Sequence, residues 1–374
     1  MSKKKIILIS RFFYPENTGF ANAATGLAQC IANNAEYDLI VITRSRSKEG
    51  DTKVLADTQV LRTHENGGIL GRLLANASFD IILRKLRLSW LMYWLVESLQ
   101  YKLCKPYLSD SSVSAFIFET NTFPFLGKKI LRKASDRAVI RLHAAEDTEE
   151  LAFGGLAKKQ NFFKKLRFLQ KKKKIISFSQ DCRYVVSTNK FYITFFKDVL
   201  MKGNVYHVWN KLYYGIVPNT LCENDLAQVD SNELKKYSIP DNFAFSLGRL
   251  SEVGVLQKGF TDLFNALGYL KYTEKLPSDF HLVLVGSGEC AKQLEKLYTR
   301  YNLADHVTLV PSTSRFETDQ LLRTAKYIVL PSRFEGQSMI LTESLAAGLP
   351  IVTTRNTGAS DMVLDGENGF LCEK

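Results

Sequence analysis

This chain of 374 residues has little that would place it in several common classes. Its six cysteines, Cys30, Cys104, Cys182, Cys222, Cys290 and Cys372, include no C-x-x-C pair. Such scatter argues against a zinc site and against a disulfide framework, and it suits a reducing cytosol. No apolar run reaches the roughly 20 residues of a membrane-spanning helix. The start, MSKKKIILIS, carries a basic head, but its apolar run ends at Arg11, too short for a secretory signal peptide. The opening strand, loop and helix lack G-x-G-x-x-G, so a dinucleotide fingerprint is not supported. Acidic residues are in deficit: 38 Asp and Glu stand against 50 Lys and Arg, for a net charge of +12. That excess points to an anionic partner, whether nucleic acid, anionic lipid or a phosphorylated substrate.

What is present is ordinary for a soluble globular protein, with 45% hydrophobic residues and length enough for two domains. The chain is organised around Val329–Gly348, VLPSRFEGQSMILTESLAAG. The apolar run Tyr327 to Leu330 predicts a buried parallel strand that stops at Pro331. Ser332 to Gly336 predict a polar loop. From Ser338, the residues Ile340, Leu341, Leu345 and Ala346 recur at helical spacing until Gly348-Leu349-Pro350 ends the helix. A helix that begins at the carboxyl end of a parallel strand sits where open α/β sheets bind ligands. The backbone N–H groups of Ser338, Met339 and Ile340 then form an anion site. Glu335 precedes that helix and Glu343 lies inside it. Both are acceptors for hydroxyl groups rather than for phosphate, so a ligand with phosphate in the middle and polyols at both ends fits. Taken alone, two acids at this spacing read rather as a loop surface charge and a solvated helix residue.

The Glu-x7-Glu spacing, set in P-S-x-x-E-G and followed by E-S-L-A-A-G-x-P-I-V, resembles the signature of retaining glycosyltransferases of family 4, which have the GT-B fold. The resemblance implies an α/β chain of two Rossmann-like domains with mostly parallel sheets facing across a cleft. It implies that Glu335 contacts the donor sugar and Glu343 the nucleotide ribose, with Gly336, Gln337, Ser338 and Met339 orienting the donor. Gln337-Ser338 stands where the family usually has Phe-Gly. The Gly248, Arg249, Leu250, Lys258 and Gly259 pattern matches the family's G-R-L…K-G. Arg249 and Lys258 would stabilise the departing diphosphate, doing the work of a metal, so no metal and no cofactor are expected. Gly19, at the end of the loop RFFYPENTG, matches the first glycine of the family's P-x-x-G-G loop, with Phe20 in the second position. His143, delivered by the predicted strand Arg137 to Leu142, matches a histidine that contacts the sugar near the reacting carbon. Gly286, in the turn Gly286-Ser287-Gly288, would let the nucleobase approach the backbone. The family continues past the position of Lys374 with helices, the last crossing back onto the first domain.

Other elements follow the same alternation. Strands are predicted at Lys4 to Ser10, Asp38 to Thr43, Gln59 to Thr63, Ala115 to Glu119, Ile175 to Ser179, Tyr213 to Val217, Phe243 to Gly248 and His281 to Val285. A helix is predicted from Gln180, and Ser251 to Gln257 reads as a loop. Val217-Pro218-Asn219 resembles the family's sequence leading into the linker, which puts the domains at 1–220 (acceptor) and 221–374 (nucleotide sugar). Two basic segments stand in the first half. Leu70 to Leu108 mixes Arg84, Lys85 and Arg87 with Trp90, Tyr93 and Trp94, and reads either as an interfacial membrane helix or as a buried one. Phe162 to Lys174, FFKKLRFLQKKKK, reads as a solvated face, a nucleic-acid patch or an anchor to anionic lipid. Its aromatics share one apolar face instead of interleaving as stacking platforms, so no nucleic-acid partner is expected. The function expected is transfer of a sugar from a nucleotide-diphosphate donor, UDP-linked, to a lipid-linked or membrane-associated glycan at the cytoplasmic face of a membrane, in building a cell-surface polysaccharide. Two other classes stay open: a glycoside hydrolase using Glu335 and Glu343, and a non-enzymatic basic protein that binds membrane or nucleic acid.

Overall fold

The computed structural model describes residues 3–14, 16, 18–44, 58–66, 68, 71, 89–119, 126–142, 183–202, 211–221 and 236–373. The chain divides into two compact units, Met1–Thr220 and Leu221–Lys374.

The first unit is a parallel sheet of seven strands: β1 Lys4–Ser10, β2 Tyr37–Thr43, β3 Gln59–Arg62, β4 Val113–Phe118, β5 Ala138–Leu142, β6 Tyr184–Ser187 and β7 Tyr213–Ile216. Their order across the sheet is β3-β2-β1-β4-β5-β6-β7. β1 pairs with β2 in register Ile6 to Leu39 and with β4 in register Ile6 to Ala115. Ile7, Leu8 and Ile9 are fully buried, as the continuous apolar run of a central parallel strand requires. Helix Gly19–Ala32 follows β1, its first turn capped by Thr18 Oγ1, which accepts from Ala21 N at 3.2 Å. Of the aromatic basic segment, helix Ser89–Cys104 is described. Val96, Glu97, Leu99 and Gln100 are buried. Glu97 Oε2 accepts from Leu126 N at the start of helix Leu126–Ala134, at 3.0 Å, and Gln100 Nε2 donates to Ser10 O at 3.3 Å. These contacts bury one face of the helix, while Trp94 on the same helix is 42% exposed, so the reading of its aromatics as core does not hold at that position.

The second unit repeats the plan with β8 Ala244–Leu247, β9 Leu282–Val285, β10 Val307–Val310, β11 Tyr327–Leu330, β12 Ile351–Thr354 and β13 Gly369–Cys372, all parallel. The order is β10-β9-β8-β11-β12-β13. Helices Phe260–Tyr272, Ala291–Arg300, Arg315–Thr324 and Met339–Ala346 make the crossovers. Phe260, Phe264, Leu294, Leu321 and Leu341 turn into the core against the buried strands. Strand order reverses between β8 and β11, so their carboxyl ends part there, and a doubly wound sheet binds ligands at that point.

The structure corrects three readings. Tyr184–Ser187 is a strand between β5 and β7, not the start of a helix. Its β-branched pair Val185-Val186 suits a pleated surface, and the next helix begins at Lys190. Ser251 to Gln257 is no loop: Glu252–Lys258 is a helix, capped by Ser251 and ended by left-handed Gly259. Gly369–Cys372 is a strand beside β12 where no element was predicted. Ile175 to Ser179 and Phe162 to Lys174 lie outside the described residues.

Candidate active site

The site is built on the loops at the carboxyl ends of β8, β9 and β11. After β8 come Gly248, Arg249 and Leu250. Leu250 N donates to Ser287 O at 2.9 Å, and Leu250 O accepts from Cys290 N at 2.8 Å. The two loops approach so closely that side chains are excluded. A Cβ on Gly286 would stand 2.2 Å from Gly248 O, and one on Gly288 2.3 Å from Leu250 C. The fold itself therefore demands both glycines, whatever they do for a ligand.

The helix Glu252–Lys258 brings its last residue back to the reversal point. Ser251 Oγ accepts from Gly254 N at 3.1 Å, and Gly259 ends the helix at φ +67°. The carboxylate of Glu289 accepts its own amide and that of Glu252, which hold it below the usual glutamate range. A Cβ on Gly259 would lie 2.1 Å from Pro331 O, so this turn presses directly on the loop after β11. Lys258 Nζ consequently meets Glu335 Oε1 at 2.6 Å.

The loop that carries Glu335 is held from several directions. Ser332 Oγ donates to Glu335 Oε1 at 2.7 Å. Arg333 N donates to Gln257 O at 2.8 Å, and Gln257 Nε2 to Phe334 O at 3.3 Å. The Arg333 guanidinium grips Asp262 through both ends of its fork, at 2.8 to 3.1 Å. From the β12 side, Asn356 Nδ2 donates to Ser332 O at 3.0 Å and Thr357 Oγ1 to Glu335 O at 2.9 Å. A Cβ on Gly358 would fall 1.5 Å from Gly336 O. Glu335 is thus a buried carboxylate at a fixed place, the kind of placement that positions a reacting group.

Helix Met339–Ala346 starts from Ser338, whose hydroxyl does not cap it. Its N-terminal amides and dipole favour an anion there. In its second turn Glu343, also buried, accepts from Arg315 Nη1 at 2.5 Å. Arg315 opens the helix after β10, whose capping box joins Ser314 and Glu317. Hydrogen bonds from Lys236 and Ser314 hold the Glu317 carboxyl down to about 2.

The structure thus joins Lys258 to Glu335 and sets Gly336, Gln337, Ser338 and Met339 in one continuous loop-to-helix segment with them. Arg249 is exposed at the exit of β8, and Gly286 leaves the neighbouring strand. Gly19 belongs to the first unit, where a Cβ would meet nothing within 4 Å among the described residues. His143 lies outside the described residues. Arg315, Ser332, Gln257 and Asn356 were not singled out from the sequence. The contacts of Gln257, Arg315 and Asn356 given above reach residues 77, 28 and 24 positions away, so no local pattern marks them, whereas Ser332 stands three residues before Glu335 within the P-S-x-x-E-G stretch. Among the described residues no group of three or more His, Cys, Asp or Glu is placed to hold a metal ion. Each of the two carboxylates is ion-paired. Carboxylates held in this way can accept hydrogen bonds from hydroxyl groups of a ligand.

The fold and the sequence of the second unit have known counterparts. The crystal structure of Anabaena HepE in complex with UDP and glucose superposes on 99% of this chain and 86% of its own, with a TM-score of 0.63 at 16% identity. At that identity the likeness shows the fold, two Rossmann-like units of the GT-B type. Residues 230–374 match the family model for Glycosyl transferases group 1. An uncharacterized glycosyltransferase of Methanocaldococcus jannaschii is 31% identical over 160 residues, 42% of this chain and 43% of that protein. A transferase of Campylobacter jejuni, named as an N-acetylgalactosaminyltransferase acting on a diacetylbacillosaminyl-diphospho-undecaprenol glycan, is 31% identical over 152 residues, 40% of this chain and 38% of that protein. The chain spans less than half the length of these curated relatives.

Proposed function

We propose that this protein is a retaining, metal-independent glycosyltransferase of the family-4 type that moves a sugar from a nucleotide-diphosphate donor, UDP-linked, to a lipid-linked or membrane-associated glycan. The observation that carries the reading is the Lys258–Glu335 pair, assembled where the strand order of the second sheet reverses. Glu335 accepts from the hydroxyls of the donor sugar, helped by the amides of Gly336 to Met339 and by His143. Lys258 and Arg249 neutralise the charge that builds on the departing diphosphate. Glu343 holds the ribose, and Gly286 marks the nucleobase end. Gly19 brings the backbone of the first unit to the substrates. The leaving phosphate takes the acceptor proton on the same face, so no separate general base is needed. The Campylobacter relative is named for a diphospho-undecaprenol glycan acceptor, which supports a lipid-linked acceptor here. The basic run of the first half would hold the protein on an anionic membrane at its cytoplasmic side.

The test is turnover with a panel of UDP-sugars in chelator. Release of UDP and an anomeric configuration retained in the product are expected. A released product of inverted configuration, or hydrolysis of a glycoside without any need for nucleotide, would replace this reading with another.

A further inference from the structure

The carboxyl edge of the first sheet carries a donor that the mechanism proposed above does not use. β6 ends at Ser187 beside the end of β5, where Ser187 Oγ and Thr188 N each donate to Leu142 O at 3.3 Å. Asn189 follows, and helix Lys190–Lys202 starts from it. Asn189 Oδ1 accepts from Tyr192 N at 3.1 Å, the bond of an N-cap. That bond fixes the carboxamide, because the flipped amide would set one donor against another. The other end of the group, Nδ2, is buried on a residue only 4% exposed, and it has no hydrogen-bond partner among the described residues. A buried donor left unmade is costly, so it marks a place for an acceptor that the chain does not supply.

The surroundings say which kind of acceptor. The first amides of an α-helix have no partner inside the helix, and the dipole puts partial positive charge at that end. The first turn holds no acid, and its first residue is the exposed Lys190. The carboxamide lies over this turn through its bond to Tyr192 N, so Nδ2 opens at the same end of the helix. Donors and positive charge together call for an oxyanion.

We propose that Asn189 and the N-terminus of helix Lys190–Lys202 form a phosphate site on the first unit. Nδ2 and the first-turn amides donate to one phosphate group, and Lys190 balances its charge. The site stands on these residues alone. That its phosphate belongs to the acceptor rests on the transferase reading above, since a glycan carried on a lipid diphosphate presents such a group.

The experiment follows hydrogen exchange of the amides of Lys190 to Tyr192 in the full chain, alone, with inorganic phosphate, and with chloride at equal ionic strength. Phosphate is expected to slow this exchange about threefold in wild type, the scale of a charge at a helix terminus, and chloride to leave it unchanged. Asn189→Asp keeps a capping oxygen and replaces the donor with an acceptor, so the helix is expected to hold and the response to phosphate to vanish. If Asn189→Asp is not folded by circular dichroism, Asn189→Ser, which also caps and lacks the carboxamide, takes its place with the same expectation. No response in wild type, or an equal response in the variant, overturns the site, gives Nδ2 to a buried water and leaves the transferase reading standing. Failure of UDP-sugar turnover overturns that reading and leaves the site standing. Farnesyl diphosphate against inorganic diphosphate assigns the source. Protection at a lower concentration of the prenyl compound supports the lipid-linked acceptor, and protection at equal concentrations overturns that assignment in favour of a free phosphate.

Discussion

Glu119 and Glu335 occupy comparable places in the two units. Each follows the strand that lies beside the first strand of its sheet, β4 in one case and β11 in the other. Both are buried and both meet a cation. Their surroundings differ. Glu119 receives Arg141 Nη1 on both oxygens, at 3.1 and 3.3 Å. The other end of that guanidinium donates to Val217 O, Pro218 O at 2.9 Å and Asn219 Oδ1. Both side chains are 1% exposed. This is a closed knot that ties β4 and β5 to the segment after β7. In the second unit the acids are buried but the cations reach outward, Lys258 at 16% and Arg315 at 35% exposure. A pair with both members closed off from solvent serves the fold. A pair with a buried acid and a partly exposed cation can exchange partners with a ligand.

Breaking the knot in the first unit has the largest expected effect. Arg141→Met leaves Glu119 as an uncompensated buried charge and is expected to cost about 3–5 kcal/mol in urea denaturation. If Lys258→Met cost as much, the contrast between the two pairs would be wrong. The next effect is steric. Gly358→Ala drives a methyl group into Gly336 O and is expected to cost about 1–3 kcal/mol. That loss should appear in hydrogen exchange of the second unit and leave β1 to β7 protected. Glu335→Gln keeps the side-chain shape and an oxygen for Ser332, so its stability cost stays under about 1 kcal/mol. Turnover with the best UDP-sugar nevertheless falls about a hundredfold or more, if the carboxylate charge matters in the transition state. Equal losses of stability and activity would make Glu335 as structural as Glu119.

The smallest effect is one of pH, on a histidine at the start of the second sheet. Burial lowers the pKa of His281 from its ordinary 6.5, with His306 adding to that shift. Its ring nitrogens meet Asp305 O at 3.2 Å and Thr308 Oγ1 at 2.8 Å. The unfolded chain takes up this proton first as pH falls. The stability contribution is therefore complete above about pH 6.5 and declines below it. His281→Gln is expected to flatten the stability profile between pH 5 and 7. An unchanged slope assigns the pH dependence to other groups.

The strands were legible wherever a continuous apolar run ended at a turn residue. Lys4–Ser10 and Tyr327–Leu330 were read at their observed ends, because a parallel strand buried on both faces needs such a run. The strand Tyr184–Ser187 was not readable, because a run of four residues carries too little periodicity and its pairing with β5 and β7 decides it. The helix Glu252–Lys258 was hidden by Gly254 in its middle, although Ser251 before it and Gly259 after it were its cap signals. Gly254 is there because a Cβ would stand 2.3 Å from Arg249 O, a tertiary reason that no local propensity carries. That missed helix is also what carries Lys258 to Glu335. Of the site, the carboxylates and the strand-end position could be read from the motif. Arg315 could not, since the contact that brings it to the site is with a residue 28 positions away.

The central claim, that the carboxyl edge of the second sheet is a nucleotide-sugar site worked by fixed cations, is tested most directly by thermal stabilisation with UDP in the presence of a chelator, on wild type and on Arg249→Ala. The account predicts a shift that grows with UDP concentration as mass action requires, and a loss of that shift in the variant at an unchanged ligand-free melting temperature. A folded wild type whose melting temperature ignores UDP, or a variant stabilised as strongly as wild type, would contradict it.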